Sequence, residues 1–337
     1  MNQKIFAAFG IILCLLLTGC RGELYEEFVL DGQTMGTYYK VKYVIPQSQR
    51  DEMPMATVRA AVEFELKRVN SLMSTYDENS ELSQINQSES VEPQPVSRET
   101  GEVLKLAWNV ARETDGVYDP TVGPLVNLWR FGPQSRPERI PTDAEIDQAR
   151  AKVGFAKVEL IASEDELSVR KTIPDAYIDL SSVAKGYGVD CVARLLLKHG
   201  IDRFLIDIGG ELRGAGKNLS GSPWQIGIQK PQPGAVGLLS VVSLENRAVA
   251  TSGNYLNFYE ENGVRYSHLI DPRTGRPISH RTASVTVLAD TCSVADAWAT
   301  ALVVLGSEKG QAIAKKNHLN VTFVDKSDSG FMTIEVK

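Results

Sequence analysis

The sequence predicts a protein of mixed helices and strands, arranged as one large domain or two small ones. Amphipathic spacing predicts helices between residues 55 and 153, whereas short alternating segments typical of strands dominate from residue 158 onward. The 337 residues suffice for a substantial core, and 43% hydrophobic with 23% charged residues is an ordinary globular composition. The net charge of −6 gives no electrostatic reason to expect nucleic-acid binding.

The first twenty residues resemble a bacterial lipoprotein signal. Lys4 precedes an apolar run that is too short for a membrane span and ends in Leu17-Thr-Gly-Cys20. We expect residues 1–19 to be removed, Cys20 to carry the lipid, and residues 20–337 to be exported and anchored to a bacterial membrane, facing the periplasm. A plain secretory signal with an incidental cysteine is the alternative. Arg21 leaves the choice between inner and outer membrane open.

Two cysteines remain once the signal is removed and Cys20 is lipidated. Cys191 and Cys292 both lie in apolar-periodic contexts, where a buried free thiol is the commoner finding. An oxidising compartment also permits a disulfide between them, so both states stay open.

The N-terminal half is predicted to contain one hairpin and three helices. Alternating apolar residues from 27 to 44 predict two strands joined through residues 31–37. Helical spacing and a capping signature at Thr142-Asp-Ala-Glu145 predict helices over 55–73, 99–114 and 142–153. The polar stretch from Ser80 to Pro95 is expected to be surface loop.

Strands are predicted to dominate the C-terminal half. The predicted strands are 158–161, 167–170, 177–180, 203–208, 224–229, 238–244, 247–251 and 283–288. Two helices complete this half, one ending at His199 and one opening at Thr291.

A glycine-punctuated stretch, Asp179-Leu-Ser-Ser-Val-Ala-Lys-Gly-Tyr-Gly-Val-Asp190, joins a strand-like segment to the first of these helices. We expect Ser181 or Ser182 to cap the first turn of the helix. The free backbone N–H groups and the helix dipole there favour a phosphate-sized anion. A capped helix with small residues for close packing is the alternative interpretation.

Two other segments carry residues suited to catalysis. His268 is one of four histidines and lies beside a tight turn, although a lone histidine is more often structural. Asp296 and Thr300 are four residues apart on a predicted helix, so both face the same way. An acid and a hydroxyl in this arrangement can hold Mg²⁺, or can form an ordinary polar face.

Seven motifs taken together resemble the ApbE family of FAD:protein FMN transferases. They are Met35-Gly-Thr37, Asp119-Pro-Thr-Val-Gly-Pro124, Asp179-Leu-Ser-Ser-Val-Ala-Lys-Gly-Tyr187, Gly209-Gly210, Thr251-Ser-Gly-Asn-Tyr255, His268-Leu-Ile-Asp-Pro-Arg-Thr-Gly-Arg-Pro277 and Ala295-Asp-Ala-Trp-Ala-Thr300. They cover nearly all of the mature chain in order. The resemblance implies an α+β fold with a helix-covered antiparallel sheet core.

The resemblance also implies an activity and its partners. It implies a Mg²⁺-dependent lipoprotein that binds FAD as substrate, cuts its pyrophosphate and attaches FMN through a phosphoester to a threonine or serine of another protein, releasing AMP. The implied acceptors are flavin-carrying subunits of sodium-pumping or related redox complexes. Hydrolysis of FAD at the same site, and storage of FAD without chemistry, are the two alternative functions.

By position, the resemblance assigns roles to thirteen residues besides the lipidated Cys20. The expected catalytic residues are His268 and Asp296. The expected FAD contacts are Met35, Tyr76, Val117, Tyr118, Asp119, Asp179, Lys185 and Ile270. The expected Mg²⁺ ligands are Ser182, Asp296, Ala299 and Thr300, with a backbone carbonyl near Ser182 or Ala299.

Overall fold

The computed structural model describes residues 23–133, 139–163, 167–232, 237–255, 257–328 and 330–337. The expected signal segment and Cys20 lie outside these ranges. Within them, no helix is both long enough and apolar enough to cross a bilayer.

An eight-stranded antiparallel sheet forms the centre of the described fold. In chain order the strands are β1 (Tyr25–Thr34), β2 (Thr37–Pro46), β3 (Gln94–Val96), β4 (Val158–Ala162), β5 (Leu167–Lys171), β6 (Phe204–Ile208), β7 (Glu211–Ala215), β8 (Trp224–Gln229), β9 (Leu238–Leu244), β10 (Arg247–Gly253), β11 (Phe258–Glu261), β12 (Val264–Ser267), β13 (Ile270–Asp271), β14 (Arg276–Pro277), β15 (Thr282–Ala289), β16 (Asn320–Ser327) and β17 (Gly330–Val336). The large sheet has the order β1-β2-β6-β7-β10-β15-β16-β17. The remaining strands form a β3-β5-β4 sheet and three separate hairpins.

Seven α-helices accompany these strands in the described residues. They are α1 (Met55–Met73), α2 (Glu81–Gln87), α3 (Arg98–Glu113), α4 (Gly123–Leu128), α5 (Asp143–Arg150), α6 (Ala184–Lys198) and α7 (Cys292–Lys316), the last broken at Gly306. The expected α+β class is therefore confirmed.

Helices cover one face of the large sheet and a hairpin covers the other. Alternate strand residues point to opposite faces, so Tyr43 packs with α1 and α6 whereas its neighbour Val44 packs with Trp224 of the β8–β9 hairpin. The side chains of β10 alternate in the same way, because Ala248 lies on the helix side of the sheet and Val249 on the hairpin side. Helix α7 lies across β10 and β15 and also packs against α6.

Two expectations about local structure are wrong. The stretch 80–95 is not all loop, because it contains α2 and β3; Ser80 caps α2 by accepting the Ser83 N–H at 2.9 Å. Residues 177–180 do not form a strand. The Asn86 side chain takes the place of a strand partner there, because it bonds both the N–H and the carbonyl of Ile178, each at 2.8 Å.

Candidate active site

A cleft of about 1170 Å³ opens where the starts of α6 and α7 meet the large sheet. Ligand pockets typically span about 300–1,000 Å³, so this cleft has room for a dinucleotide. It brings together twelve residues proposed from the sequence, namely Met35, Tyr76, Val117, Tyr118, Asp119, Asp179, Ser182, Lys185, His268, Ile270, Asp296 and Thr300. Ala299 is different, because it is fully buried in the core and is not among the cleft-lining residues.

The start of α6 is capped by a carboxylate from α7 and not by a nearby serine. Val183 occupies the N-cap position and makes no side-chain cap bond, so the expected cap by Ser181 or Ser182 is wrong. Ser182 Oγ instead lies 2.8 Å from the Tyr118 hydroxyl. The Gly186 N–H donates to Asp296 Oδ2 at 2.9 Å, which places the α7 carboxylate directly against the start of α6.

The start of α7 is held in turn by Asp190 of α6. Its carboxylate accepts the Cys292 N–H at 3.0 Å and the Ser293 N–H at 2.9 Å. It also pairs with the Arg213 guanidinium at 2.6 Å. Neither Cys191 nor Cys292 is in a disulfide; both are buried free thiols.

Glu211 is a further site residue, one that was not expected from the sequence. It is only 4% exposed, lines the cleft at the start of β7, and pairs through Oε1 with Lys185 Nζ at 2.6 Å. Burial raises the pKa of Glu211, an effect that the Lys185 ammonium opposes. Burial alone would lower the pKa of Lys185, but the Asp296 and Glu211 carboxylates outweigh it and raise that pKa. Two carboxylates therefore share one ammonium at the base of the cleft.

The residues around Asp296 suit a hard cation. Asp296 is 2% exposed, and burial raises its pKa while Lys185 opposes the rise. Thr300 Oγ1 lies 3.1 Å from Ser252 Oγ, so two hydroxyls border the same wall. The described residues contain no cluster of three or more histidine, cysteine or acidic ligands. One buried carboxylate with neighbouring hydroxyls is a donor set that suits Mg²⁺, which usually relies on one or two carboxylates with waters and substrate phosphates.

Glu211 Oε2 gives a second indication that the cleft is built for a ligand. This oxygen is buried and has no hydrogen-bond partner among the described residues. A buried acceptor without a donor costs about 1–3 kcal/mol. A bound cation, water or hydroxyl in the cleft would remove this cost.

His268 follows β12 and has a defined tautomer. Its Nδ1 lies 3.0 Å from the Asn257 carbonyl, which can only accept, so Nδ1 carries the proton and Nε2 of the neutral ring keeps its lone pair. Burial lowers the pKa of His268 below 6.5. The ring also meets Phe131 edge-on, with 6.3 Å between ring centroids. The histidine is therefore neutral near pH 7 and suited to accept a proton.

An aromatic stack supports the segment that carries His268. Phe131 and Tyr259 stack at 5.5 Å, Tyr259 and Tyr266 at 5.2 Å, and Tyr266 and Trp129 at 5.6 Å. Neither this stack nor the Asn257 contact was expected from the sequence, because both depend on the β11–β12 hairpin, which was not predicted.

The remaining proposed residues differ in their exposure and in whether their polar atoms are already hydrogen-bonded within the protein. Met35 forms the β1–β2 turn with a positive φ of 49°, and Tyr76 is 65% exposed at the rim. Val117 and Ile270 form buried apolar wall, and Tyr118 is buried beside them with its hydroxyl directed to Ser182. Both carboxylate oxygens of Asp119 already accept backbone hydrogen bonds that hold the fold. Oδ1 accepts the Thr121 N–H at 2.8 Å, and Oδ2 accepts the Phe155 N–H at 2.9 Å.

Comparison with known proteins identifies relatives that span nearly the whole chain. The model of the ApbE family matches residues 35–323. The FAD:protein FMN transferase of Vibrio cholerae serotype O1 is 45% identical over 317 residues, which are 94% of this chain and 92% of the relative. The FAD:protein FMN transferase of Haemophilus influenzae is 42% identical and covers 99% of this chain and 96% of its own length.

A solved structure of similar fold agrees with these relatives. The flavin transferase ApbE from Vibrio cholerae superposes with a TM-score of 0.85 at 43% identity, covering 93% of this chain and 98% of that protein.

Proposed function

The chain belongs to the ApbE family and is an FAD:protein FMN transferase, and we propose that its acceptor is a threonine or serine hydroxyl and that it depends on Mg²⁺. The acceptor oxygen forms a bond to the phosphorus of the FMN half of FAD. The pyrophosphate P–O bond breaks, and AMP leaves with the bridging oxygen. The acceptor's hydroxyl proton passes to a base, so the exchange balances without water.

The observation that supports this proposal best is the meeting of three features in one cleft. The positive end of the α6 dipole lies beside the Lys185 ammonium, and the buried Asp296 carboxylate accepts the Gly186 N–H at that helix start. The Nε2 atom of His268 has no bond from the described residues. Anion binding, cation binding and proton acceptance are the three functions that transfer of a phosphate ester requires.

Asp296 and Thr300, with Ser182 nearby, are the side chains that would hold Mg²⁺. When bound there, the ion would neutralise the charge that develops on the pyrophosphate oxygens. Lys185 supplies a second positive charge at the same end of the cleft, and the start of α6 adds the field of a helix N-terminus. Removal of any one of these charges should slow the loss of AMP.

His268 acts on the acceptor. Its neutral Nε2 takes the proton from the incoming hydroxyl, because Nδ1 is already committed to the Asn257 carbonyl. Asn257 also accepts the His268 backbone N–H at 3.1 Å, so the ring and its backbone are held by the same carbonyl. A base of this kind contributes roughly 10²–10⁴-fold in rate.

The cleft walls orient the flavin and limit water. Met35, Tyr118 and Ile270 are apolar or aromatic surfaces next to the charged end of the cleft. A large apolar ring system binds such walls by burying surface, while the phosphates reach the charged end.

We also propose that the enzyme is a lipoprotein whose Cys20 anchors it at a membrane, facing the periplasm. This rests on the Leu17-Thr-Gly-Cys20 pattern after a short apolar run. Membrane-bound redox subunits that carry flavin, such as those of sodium-pumping complexes, would then be accessible acceptors.

One incubation separates this function from its alternatives. The protein is mixed with FAD and Mg²⁺, with and without an acceptor that exposes a serine or threonine, and products are measured by mass spectrometry and nucleotide chromatography. We expect FMN on the acceptor and AMP in equal amounts. Free FMN and AMP formed equally with or without the acceptor would identify a hydrolase, and FAD that stays intact would identify a binding protein.

A further inference from the structure

Glu211 is a buried carboxylate with no part in the mechanism above. It opens β7 directly after the Gly209-Gly210 turn and is held by Lys185 through Oε1 at 2.6 Å. Its other oxygen, Oε2, has no partner in the described part of the chain. In an ordinary buried ion pair, both carboxylate oxygens have hydrogen-bond partners. Here one oxygen of a cleft-lining carboxylate has none among the described residues.

Lys185 is placed between two carboxylates but bonds only one. The described ion pair joins Lys185 to Glu211, while Asp296 attracts the ammonium from farther away and bonds the Gly186 N–H instead. The Lys185 side chain is 31% exposed and free to move, and both the Glu211 and the Asp296 carboxylates attract its ammonium. If Glu211 lost its charge, the flexible Lys185 side chain would turn to the remaining carboxylate, Asp296.

We propose that Glu211 is a positioning residue that tethers the Lys185 ammonium away from Asp296, so that a divalent cation can bind Asp296 while Lys185 serves the phosphates. This inference rests on the proposed function, which places the metal at Asp296. Without the tether, Lys185 occupies the cation's position and competes with it. The unused Oε2 accepts a hydrogen bond from a hydroxyl or water brought in with the ligand.

The test measures Mn²⁺ binding by electron paramagnetic resonance, which needs no FAD and no catalysis. The full chain is used in detergent, as the wild type and as Glu211→Gln, Lys185→Met and the double variant. Glu211→Gln should weaken Mn²⁺ about tenfold or more, the scale of one charge pair in a partly desolvated site. Lys185→Met should bind Mn²⁺ at least as tightly as the wild type, because the competing cation is gone.

The double variant distinguishes a tether from a direct ligand. If Glu211 acts through Lys185, Glu211→Gln should change Mn²⁺ affinity less than about threefold once Lys185 is methionine. An equal loss with and without Lys185 would show that Glu211 acts on the metal itself and would overturn the tether. A Lys185→Met protein that binds Mn²⁺ more weakly than the wild type would also overturn the tether proposal. This comparison does not require Glu211→Gln, so it remains decisive if that variant fails to fold.

Asp296→Ala separates failure of the tether from failure of the proposed function. If Asp296→Ala binds Mn²⁺ like the wild type, the proposal of a metal site at Asp296 is wrong. The tether proposal is then wrong as well, because it depends on that site. If Asp296→Ala loses Mn²⁺ but Glu211→Gln binds it normally, only the tether is wrong. Circular dichroism of each variant establishes that the affinities compare folded proteins.

Discussion

Asp190 and Asp296 cap each other's helices. Asp296 on α7 accepts the Gly186 N–H of α6 at 2.9 Å, and Asp190 on α6 accepts the Cys292 N–H of α7 at 3.0 Å. Each helix thus lends a carboxylate to the other's free N-terminal donors. The exchange fixes the two helix starts against each other at the cleft, and one of the two caps is the carboxylate proposed to bind the metal.

The two aspartates should differ sharply in their contribution to stability. Asp190→Ala leaves the Cys292 and Ser293 N–H groups and the Arg213 guanidinium without their acceptor, which should cost about 3–5 kcal/mol of unfolding free energy. Asp296→Ala removes one N–H cap and should cost about 0.5–2 kcal/mol. Urea unfolding of both variants provides the comparison. Equal losses would contradict the assignment of Asp190 as the structural member of the exchange.

Gly186→Ala should damage the same junction by crowding it. A Cβ at this position would lie 2.7 Å from the Cys292 carbonyl carbon and 2.8 Å from Asp296 Cβ, so α6 and α7 must move apart. Overpacking of this kind costs about 1–3 kcal/mol, and we expect FMN transfer to fall because Asp296 is displaced.

Gly188→Ala is the matched control, since it makes the same change two residues along α6. Its Cβ would meet Met35 Cε, the end of a flexible side chain, at 3.0 Å. Thermal unfolding should therefore change less than for Gly186→Ala. A larger loss in Gly188→Ala would show that the helix junction is not the tight contact.

Elements with local signals were predictable from the sequence. Helix α1 places Val62, Leu66 and Val69 on one buried face, and this spacing is visible without any partner. The capping box at Thr142 and Glu145 forms entirely within one turn and is present as expected. Residues from each of the seven motifs also line one cleft, as the resemblance leads us to expect.

Contacts that depend on distant packing were not predictable. Asp296 replaces the serine cap of α6 from a position 110 residues away, and no local pattern signals such a cap. Asn86 similarly reaches Ile178 across 92 residues and prevents the strand that alternation predicts there. Glu211 carried no signal beyond its place after two glycines, because its role depends on Lys185.

His268→Ala should slow transfer while leaving FAD binding nearly unchanged, because a base acts in the chemical step. The pKa of His268 lies below 6.5 owing to burial, so the ring is neutral at pH 7 and becomes protonated only in more acidic solution. The wild-type rate should thus be level near neutrality and fall on the acid side as pH drops through that pKa.

Single-turnover FMN transfer from about pH 5 to about pH 9 measures this profile. In the variant the rate should be roughly 10²–10⁴-fold lower at neutral pH, the acid fall of the wild type should vanish, and the deficit should shrink at high pH. FAD fluorescence titration is the binding control. A variant with the wild-type rate at neutral pH would remove His268 from the mechanism.

Cys20→Ala should abolish lipidation, because the Cys20 thiol is the proposed site of the lipid. The variant should remain soluble or uncleaved, while the wild type partitions into the detergent phase. A properly exported variant that partitions like the wild type would contradict the lipoprotein proposal.

Asp296→Asn isolates the metal role of Asp296 from its role as a cap. The amide oxygen can still accept the Gly186 N–H, so stability should stay close to the wild type, but the negative charge is lost. Thr300, Ser182 and backbone carbonyls offer only neutral oxygens, so affinity for Mg²⁺ should fall steeply.

Transfer measured against Mg²⁺ concentration shows which role matters for catalysis. For Asp296→Asn the curve should shift to higher Mg²⁺ and recover part of the wild-type rate, since affinity for the ion and not the fold has been lost. Asp296→Ala should show the same shift together with the loss of stability that follows from removing the cap. Thr300→Val, which removes a neutral ligand from the same helix face, should shift the curve less because no charge is lost. A folded Asp296→Asn protein with the wild-type rate and Mg²⁺ dependence would establish that Asp296 serves this enzyme only as a helix cap.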